Sequence, residues 1–267
     1  MIIDCHTHAF ADKIADRAVA QLIEYYGLST SLGGRLPDLL SHAAAAGVDA
    51  LILLVAATRP AQVRPAHDWI LSLPPDAPGA PRVIPFGTFH PGDPDWPAEV
   101  ARLRAAGIRG IKLHPEFQGL DLADPRLGPF LEEIQRDFLL LVHVGDQHPG
   151  ADPLSTPAKV ARLLDNFPTL RVIAAHLGGY CLWEQACEHL AGREVYLDTS
   201  SALPYIDPGL LRRLVRRHDT ERLLFGSDYP LRSAAEERRE LERLEWLTER
   251  ERERILGDNA RRLLGLT

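Results

Sequence analysis

The amino-acid sequence predicts an α/β fold, a (β/α)₈ barrel of the TIM type that forms a single domain over residues 1–267. Two observations lead to this prediction. Short runs rich in aliphatic and β-branched residues alternate eight times with longer stretches in which apolar residues recur at helical spacing. In addition, most histidines and several other polar residues stand where the short runs end. In a barrel of this type the active site lies at the C-terminal ends of the strands.

The eight predicted strands are short, apolar and bounded by glycine, proline or polar residues, as the strands of a buried parallel sheet are. In chain order they cover residues 1–6, 48–56, 83–88, 110–114, 139–144, 171–175, 194–198 and 222–226. A doubly wound open sheet is the structural alternative. Such a sheet usually has a glycine-rich turn after its first strand, whereas this chain has His-Thr-His there.

Helical segments are predicted between and after the strands, at residues 12–26, 37–46, 97–106, 127–137, 156–166, 209–217, 234–247 and 248–264. Within the last segment, Gly257-Asp258-Asn259-Ala260 predicts a stop and an N-cap before a closing helix. The segment 9–47 is long for one strand-to-strand connection. It predicts either a small lid over the barrel mouth or an extra peripheral helix.

Composition and charge limit the classes of partner. A content of 45% apolar and 25% charged residues is typical of a soluble globular protein. The net charge of −7 argues against nucleic acid, whose binding needs a basic surface, but it leaves a small anionic substrate open. No apolar run approaches the roughly 18 residues of a membrane span, and three cysteines without a zinc spacing are typical of free thiols. We therefore expect a cytoplasmic protein, and the sequence leaves a homodimer open.

Residues that carry chemistry stand where the predicted strands end. His6 and His8 end the first strand, and because side chains alternate along a strand they should share one face, with Cys5 facing away. The other such residues are His90, Lys112, His114, His143, His176, Asp198 and Asp228. Imidazole and carboxylate groups are zinc ligands, and the C-terminal strand ends of a barrel meet at one mouth. The sequence therefore predicts a metal site there.

Five segments in register resemble the metal-dependent amidohydrolase superfamily. They are Asp-Cys-His-Thr-His at 4–8, Gly-Ile-Lys-Leu-His-Pro at 110–115, Ala-His-Leu-Gly at 175–178, Tyr-Leu-Asp-Thr-Ser at 196–200 and Phe-Gly-Ser-Asp-Tyr-Pro at 225–230. The chain is most similar to the amidohydrolase-related branch that includes aminocarboxymuconate-semialdehyde decarboxylase. The resemblance spans nearly the whole chain, so it implies the same barrel.

The resemblance also implies one divalent metal ion, Zn²⁺ with Mn²⁺ as the alternative. The implied ligands are His6, His8, His143 and Asp228. Asp228 would also accept the proton of a water molecule. His176 would lie beside the metal as the acid/base and electrophilic partner, which polarises the scissile carbonyl or stabilises the developing oxyanion. Asp198 is interpreted as a supporting carboxylate.

Lys112 and His114 are predicted to face the same mouth from the fourth strand. Lys112 is interpreted as a positive charge that meets a substrate carboxylate; a carboxylated lysine that bridges two metal ions, as in other members of the superfamily, is the alternative. His114 contacts either the substrate or a neighbouring strand. Arg59 and Arg232 follow the second and eighth strands and could bind an anion, but a solvated surface charge is the simpler interpretation of each.

Two reactions use these residues, and the sequence does not separate them. The first is hydrolysis of an amide, lactone or ester bond in a small, carboxylated molecule by a metal-activated water. The second is non-oxidative decarboxylation of an aromatic or muconate-type acid. A metal-dependent DNase also begins with His-x-His, but the acidic charge and Lys112 on the fourth strand disfavour it. A barrel that binds a ligand without catalysis is disfavoured because all the site residues are present.

Overall fold

Eight parallel strands pair in the order in which they occur along the chain and surround one interior. The computed structural model describes residues 1–148 and 153–266. The strands are β1 (Ile3–His8), β2 (Ala50–Leu54), β3 (Arg82–Thr88), β4 (Gly110–Leu113), β5 (Leu139–Val142), β6 (Arg171–Ala174), β7 (Tyr196–Asp198) and β8 (Leu223–Leu224). Every predicted strand is present, and the predicted (β/α)₈ barrel is confirmed.

Backbone hydrogen bonds between β1 and the segment that starts in β8 complete the barrel. The amide of Cys5 donates to the carbonyl of Phe225 at 2.8 Å, and the amide of Asp228 donates to the carbonyl of His6 at the same distance. Farther along, the amide of His8 donates to Tyr229, also at 2.8 Å. These bonds place predicted site residues from the two ends of the chain side by side.

Helices pack around the strands. In the described part of the chain they are α1 (Asp12–Tyr26), α2 (Leu36–Ala45), α3 (Val63–Leu71), α4 (Trp96–Ala105), α5 (Pro115–Gln118), α6 (Gly128–Ile134), α7 (Pro157–Asn166), α8 (Trp183–His189), α9 (Pro208–His218), α10 (Ala234–Glu242), α11 (Glu249–Glu253) and α12 (Asn259–Leu264). Polar residues cap several of them; Thr156, for example, accepts a hydrogen bond from the amide of Lys159 at the start of α7. Among the residues described, none of the helices combines the length and apolar character that crossing a bilayer requires.

A bulge in β1 changes which of its residues face inward. The register between β1 and β2 shifts between Asp4 and Thr7, and a bulge of this kind redirects the side chains that follow it. Cys5 packs with Ile3 in the buried cluster inside the barrel, although His6 is the next residue along and also lines the interior. The prediction that Cys5 faces away from the histidines is therefore wrong, because strict alternation does not hold across the bulge.

The C-terminal helices correct a second prediction. Helix α11 continues through one π-helical turn, Arg254–Asp258, directly into α12. The predicted stop at Gly257 and N-cap before a closing helix are therefore wrong. A Cβ atom on Gly257 would lie 2.0 Å from the carbonyl oxygen of Met1. Glycine is needed here because the helix passes close to the start of the chain.

The long segment between β1 and β2 contains features of both predicted alternatives. It forms two peripheral helices, α1 and α2. Helix α1 ends at Gly27, which has a left-handed φ of 61°. The coil that follows approaches the barrel mouth, where the hydroxyl of Thr30 donates to the carbonyl of Pro230 at 2.9 Å.

Candidate active site

His6, His8 and Asp228 bring three possible metal-binding atoms together at the barrel mouth, and we call them the three-residue cluster. Oδ1 of Asp228 lies 3.5 Å from Nε2 of His6 and 3.7 Å from Nε2 of His8. Bonds of about 2.0–2.2 Å to a tetrahedral zinc ion would separate the ligand atoms by about 3.4 Å. The spacing of the three atoms therefore fits one ion, as their grouping within 4.8 Å of one another also indicates.

Asp228 and His176 are among the site residues that have a strained backbone. φ is 68° at Asp228 and 59° at His176, and such a conformation costs on the order of 1–3 kcal/mol for a residue other than glycine. Hydrogen bonds hold both residues: the Asp228 amide donates to His6, and the His176 amide donates to Oδ1 of Asp198 at 3.0 Å. Backbone strain of this kind is concentrated at functional sites.

Asp198, at the end of β7, orients the ring of His6. Its Oδ2 lies 3.0 Å from Nδ1 of His6, and its Oδ1 accepts a hydrogen bond of 2.5 Å from the hydroxyl of Ser200. Because a carboxylate only accepts hydrogen bonds, His6 has its proton on Nδ1 and presents the lone pair of Nε2 to the cluster. The hydroxyl of Ser201 orients Asp228 in the same way, by donating to Oδ2 at 2.8 Å.

His143 and His176 form a pair beside the three-residue cluster. Nδ1 of His143 lies 2.9 Å from Nε2 of His176. The two outer nitrogens face carbonyl oxygens: Nε2 of His143 lies 2.9 Å from that of Gly145, and Nδ1 of His176 lies 2.8 Å from that of Ser200. These three contacts need three N–H hydrogens, whereas two neutral imidazoles supply two. At least one nitrogen of the pair therefore has a lone pair that meets no donor in these contacts.

His143, a predicted ligand, lies apart from the three-residue cluster in this conformation. Its ring stacks on that of His114, with centroids 3.9 Å apart and planes 13° apart. An imidazole binds a metal ion in its own ring plane, and two nearly parallel planes at this separation do not meet near the rings. His114, Glu116 and His143 also form a group with metal-ligand spacing, but the stacking prevents both rings from binding the same ion.

Lys112 lies against the three-residue cluster. Its side chain is fully buried, and its Nζ is 3.5 Å from Nε2 of His6. Burial lowers the pKa of Lys112 to about 8, while the charges of Asp198 and Asp228 act in the opposite direction. Lys112 therefore contacts the lone pair that the cluster offers to a metal ion, rather than lying at the outer rim of the mouth.

Burial keeps the imidazoles of the site neutral. It lowers the pKa of His8 to about 3 and that of His176 to about 4, and it places the pKa values of His6 and His143 well below the ordinary range. Neutral imidazole is the form that binds a metal ion. Burial also raises the pKa of Asp228 to about 7, and a nearby cation would favour its carboxylate form.

A cavity of about 10 Å³ opens onto these residues, which is roughly the room that one water molecule needs. Its lining includes His143, His176 and Asp228 together with Tyr26, Tyr180 and Tyr205. Tyr26 belongs to the segment that the sequence predicted as a possible lid, whereas Tyr180 and Tyr205 were not identified and no motif marks them. Sequence reasoning also missed the roles of Ser200 and Ser201, although the run Asp-Thr-Ser-Ser after β7 was a usable signal.

The structure brings most of the sequence-predicted site residues to one mouth. His6, His8, His176, Lys112 and Asp228 lie together, as the distances above show. His114 is nearby, with its Nε2 3.5 Å from the hydroxyl of Tyr26. His90 lies outside this group, where its Nδ1 accepts a hydrogen bond from the amide of Gly92 at 3.1 Å.

Residues 3–266 match the sequence model of a protein family that is described as amidohydrolase. This match covers nearly the whole chain. No curated protein matches the chain.

Several solved structures have a similar fold. The 5-carboxyvanillate decarboxylase of Sphingomonas paucimobilis is 19% identical, with a TM-score of 0.72 over 100% of this chain and 99% of that chain. A dihydroxybenzoic acid decarboxylase from a Polaromonas species, with bound manganese and the inhibitor 2-nitroresorcinol, is 18% identical, with a TM-score of 0.68 over 99% and 97%. A proposed 2-pyrone-4,6-dicarboxylic acid hydrolase from Pseudomonas putida is 21% identical, with a TM-score of 0.67 over 99% and 97%. At these identities the similarity shows the fold alone.

Proposed function

This chain belongs to the amidohydrolase family and is an enzyme, and we propose that it uses one divalent metal ion to cleave a bond at a carbonyl or carboxyl carbon of a small carboxylic acid. The observation that carries the proposal is the three-residue cluster, whose ligand atoms have the spacing of a tetrahedral metal site. Hydrolysis of an amide, lactone or ester bond is the first candidate reaction.

We propose His6, His8, His143 and Asp228 as the metal ligands. His143 is included because the resemblance to the amidohydrolase superfamily implies it, and its ring lies apart from the three-residue cluster in this conformation, with Nε2 2.9 Å from the carbonyl oxygen of Gly145. Three imidazoles and one carboxylate suit zinc, and manganese, which one structural relative binds, is the alternative.

When bound, the ion would supply Lewis acidity toward a substrate oxygen and would lower the pKa of a water molecule that it holds. The residues of the chain move the protons. Asp228, whose Oδ1 faces the ligand nitrogens of His6 and His8, can accept the proton of a water molecule held there and return it. His176 remains neutral, and with its Nδ1 hydrogen directed at Ser200 its Nε2 is a proton acceptor. This assignment uses the acid/base part of the role that the resemblance implies for His176.

Non-oxidative decarboxylation is the second candidate, and the comparisons with solved structures support it at least as well as hydrolysis. Two of the structural relatives are decarboxylases of aromatic acids. In this reaction the bond to the carboxylate breaks, CO₂ leaves, and the electron pair remains on a ring carbon that takes a proton from an acidic group such as Asp228.

An isotope experiment separates the two reactions. The zinc- or manganese-loaded protein is incubated in H₂¹⁸O with 2,6-dihydroxybenzoate, 5-carboxyvanillate and 2-pyrone-4,6-dicarboxylate. CO₂ release without ¹⁸O in the organic product indicates decarboxylation, and ¹⁸O in the product without CO₂ release indicates hydrolysis. Asp228→Asn, which keeps the shape of the side chain, should abolish either activity. Absence of turnover across a wider panel of small acids would count against both candidates.

A further inference from the structure

We propose that Arg232, held by Glu237, binds the carboxylate of the substrate at the edge of the active site. This inference rests on the proposed function and names the residue that recognises the acid group of the substrate. The sequence offered Lys112, Arg59 and Arg232 for this role, and the three side chains differ in burial and in partners.

Lys112 and Arg59 fit the role less well. Lys112 is fully buried with its Nζ 3.5 Å from Nε2 of His6, so a carboxylate bound there would occupy the space that the cluster offers to a metal ion. Arg59 is exposed at the start of the turn after β2, next to Pro60. It has no acidic partner within ion-pair distance among the residues described.

Arg232 is held by a buried carboxylate. It follows Asp228 in the segment after β8, and its Nε donates to Oε1 of Glu237 on α10. The side chain of Glu237 is fully buried, and 18% of the Arg232 side chain is exposed. Burying such a pair costs more free energy than burying apolar side chains of similar size. The presence of this ion pair beside the mouth is explained if Glu237 holds the guanidinium group of Arg232 in position to bind a ligand.

The guanidinium group of Arg232 retains donors for that ligand. Only Nε has a hydrogen-bond partner in the described part of the chain, so Nη1 and Nη2 are unpaired. The planar fork of an arginine binds a carboxylate through two parallel hydrogen bonds. Leu231, the residue before Arg232, lines the cavity together with Tyr205 and Asp228. Arg232 therefore lies in the segment that borders the mouth at which the substrate would bind, and its charge acts on Asp228.

The test compares a ring that carries a carboxylate with the same ring without it. Salicylate and phenol are titrated calorimetrically into the protein with added Zn²⁺. The wild type should bind salicylate more tightly than phenol. Arg232→Gln should weaken salicylate binding about tenfold or more, because charged hydrogen bonds are lost, and should leave phenol binding unchanged. Arg239→Gln is the matched control: in the part of the chain that the structure describes, this exposed arginine on α10 bonds only the Ala235 carbonyl, and its loss should change neither affinity.

A second variant addresses folding. Arg232→Gln leaves Glu237 buried without a charged partner, which can destabilise the protein. The double variant Arg232→Met, Glu237→Leu removes both charges and should fold while losing the preference for salicylate. If this variant keeps the preference, or if the wild type does not bind salicylate more tightly than phenol, the inference is overturned. Failure of the proposed function would appear elsewhere, as absence of bond cleavage with the carboxylate preference intact.

Discussion

Nδ1 of His6 lies 3.0 Å from Oδ2 of Asp198, and both side chains are buried. Through this contact the last residue of β7 determines which nitrogen of His6 is free to bind a metal ion. Asp198→Asn should therefore weaken zinc binding about 10–100-fold, as the loss of a carboxylate behind a ligand histidine typically does. Competition with a chromogenic chelator measures the affinity.

The control for this substitution is Asp165→Asn. Asp165 is an exposed partner of Arg193, at 2.7 Å, on the outside of the barrel. Its replacement should leave zinc affinity unchanged. If Asp198→Asn also binds zinc like the wild type, Asp198 acts on the fold alone and not through His6.

Replacing His6 and His8 together by alanine should remove the metal ion. Elemental analysis of the wild type should find about one divalent ion per chain, and the double variant should hold none. Because a bound ion stabilises the folded state by about 4 kcal/mol at a free concentration of 1,000 times its Kd, the melting temperature of the variant should no longer rise when zinc is added.

His90→Ala is the matched control for the double variant. His90 also stands at a strand end, but it lies outside the three-residue cluster and its Nδ1 bonds the amide of Gly92. This variant should keep the ion. Retention of the ion by the His6 and His8 variant would refute the ligand assignment, and two ions per wild-type chain would instead support a carboxylated Lys112.

His176→Asn should separate catalysis from metal binding. We propose His176 as a proton acceptor and not as a ligand, so the variant should keep the metal content of the wild type. Its turnover of whichever acid the isotope experiment identifies should fall about 10²–10⁴-fold, the usual contribution of a general acid or base. Loss of the ion from this variant would mean that His176 is a ligand.

The barrel and most of the residues at its mouth could be predicted from the sequence. Strand periodicity and the C-terminal position of polar residues placed His6, His8 and Asp228 together, and backbone hydrogen bonds between the chain's two ends hold these residues side by side. Local pattern did not reveal the bulge in β1, because a bulge depends on the pairing of β1 with β2. The prediction that the Cys5 side chain faces away from the histidines was therefore wrong.

Other features of the site depend on contacts between distant segments. The pairing of His143 with His176 and its stacking on His114 arise from three different strands, so the sequence suggested a ligand role for His143 but not its surroundings. Likewise, the pairing of Arg232 with Glu237 requires the turn that leads into α10. The cytoplasmic location and the homodimer stay predictions.

Glu116 should make the stability of the protein depend on pH. The hydroxyl of Ser155 donates to its Oε1 at 2.5 Å, while its Oε2 is buried without a partner among the described residues. Burial raises the pKa of Glu116 from 4.5 to about 7. Between these values the folded state holds a proton that the unfolded state has lost. The free energy of unfolding should therefore fall as the pH rises through this range.

Glu116→Gln tests this because glutamine keeps the shape of the side chain and does not titrate. Urea unfolding of both proteins is measured from about pH 5 to about pH 8, where the contribution of Glu116 is lost. Relative to the variant, the wild type should lose on the order of 2 kcal/mol across this range. Glu188→Gln, at an exposed position, should follow the wild type. Parallel pH curves for the wild type and Glu116→Gln would mean that Glu116 is ionised in the folded protein and that Oε2 has a hydrogen-bond donor in solution.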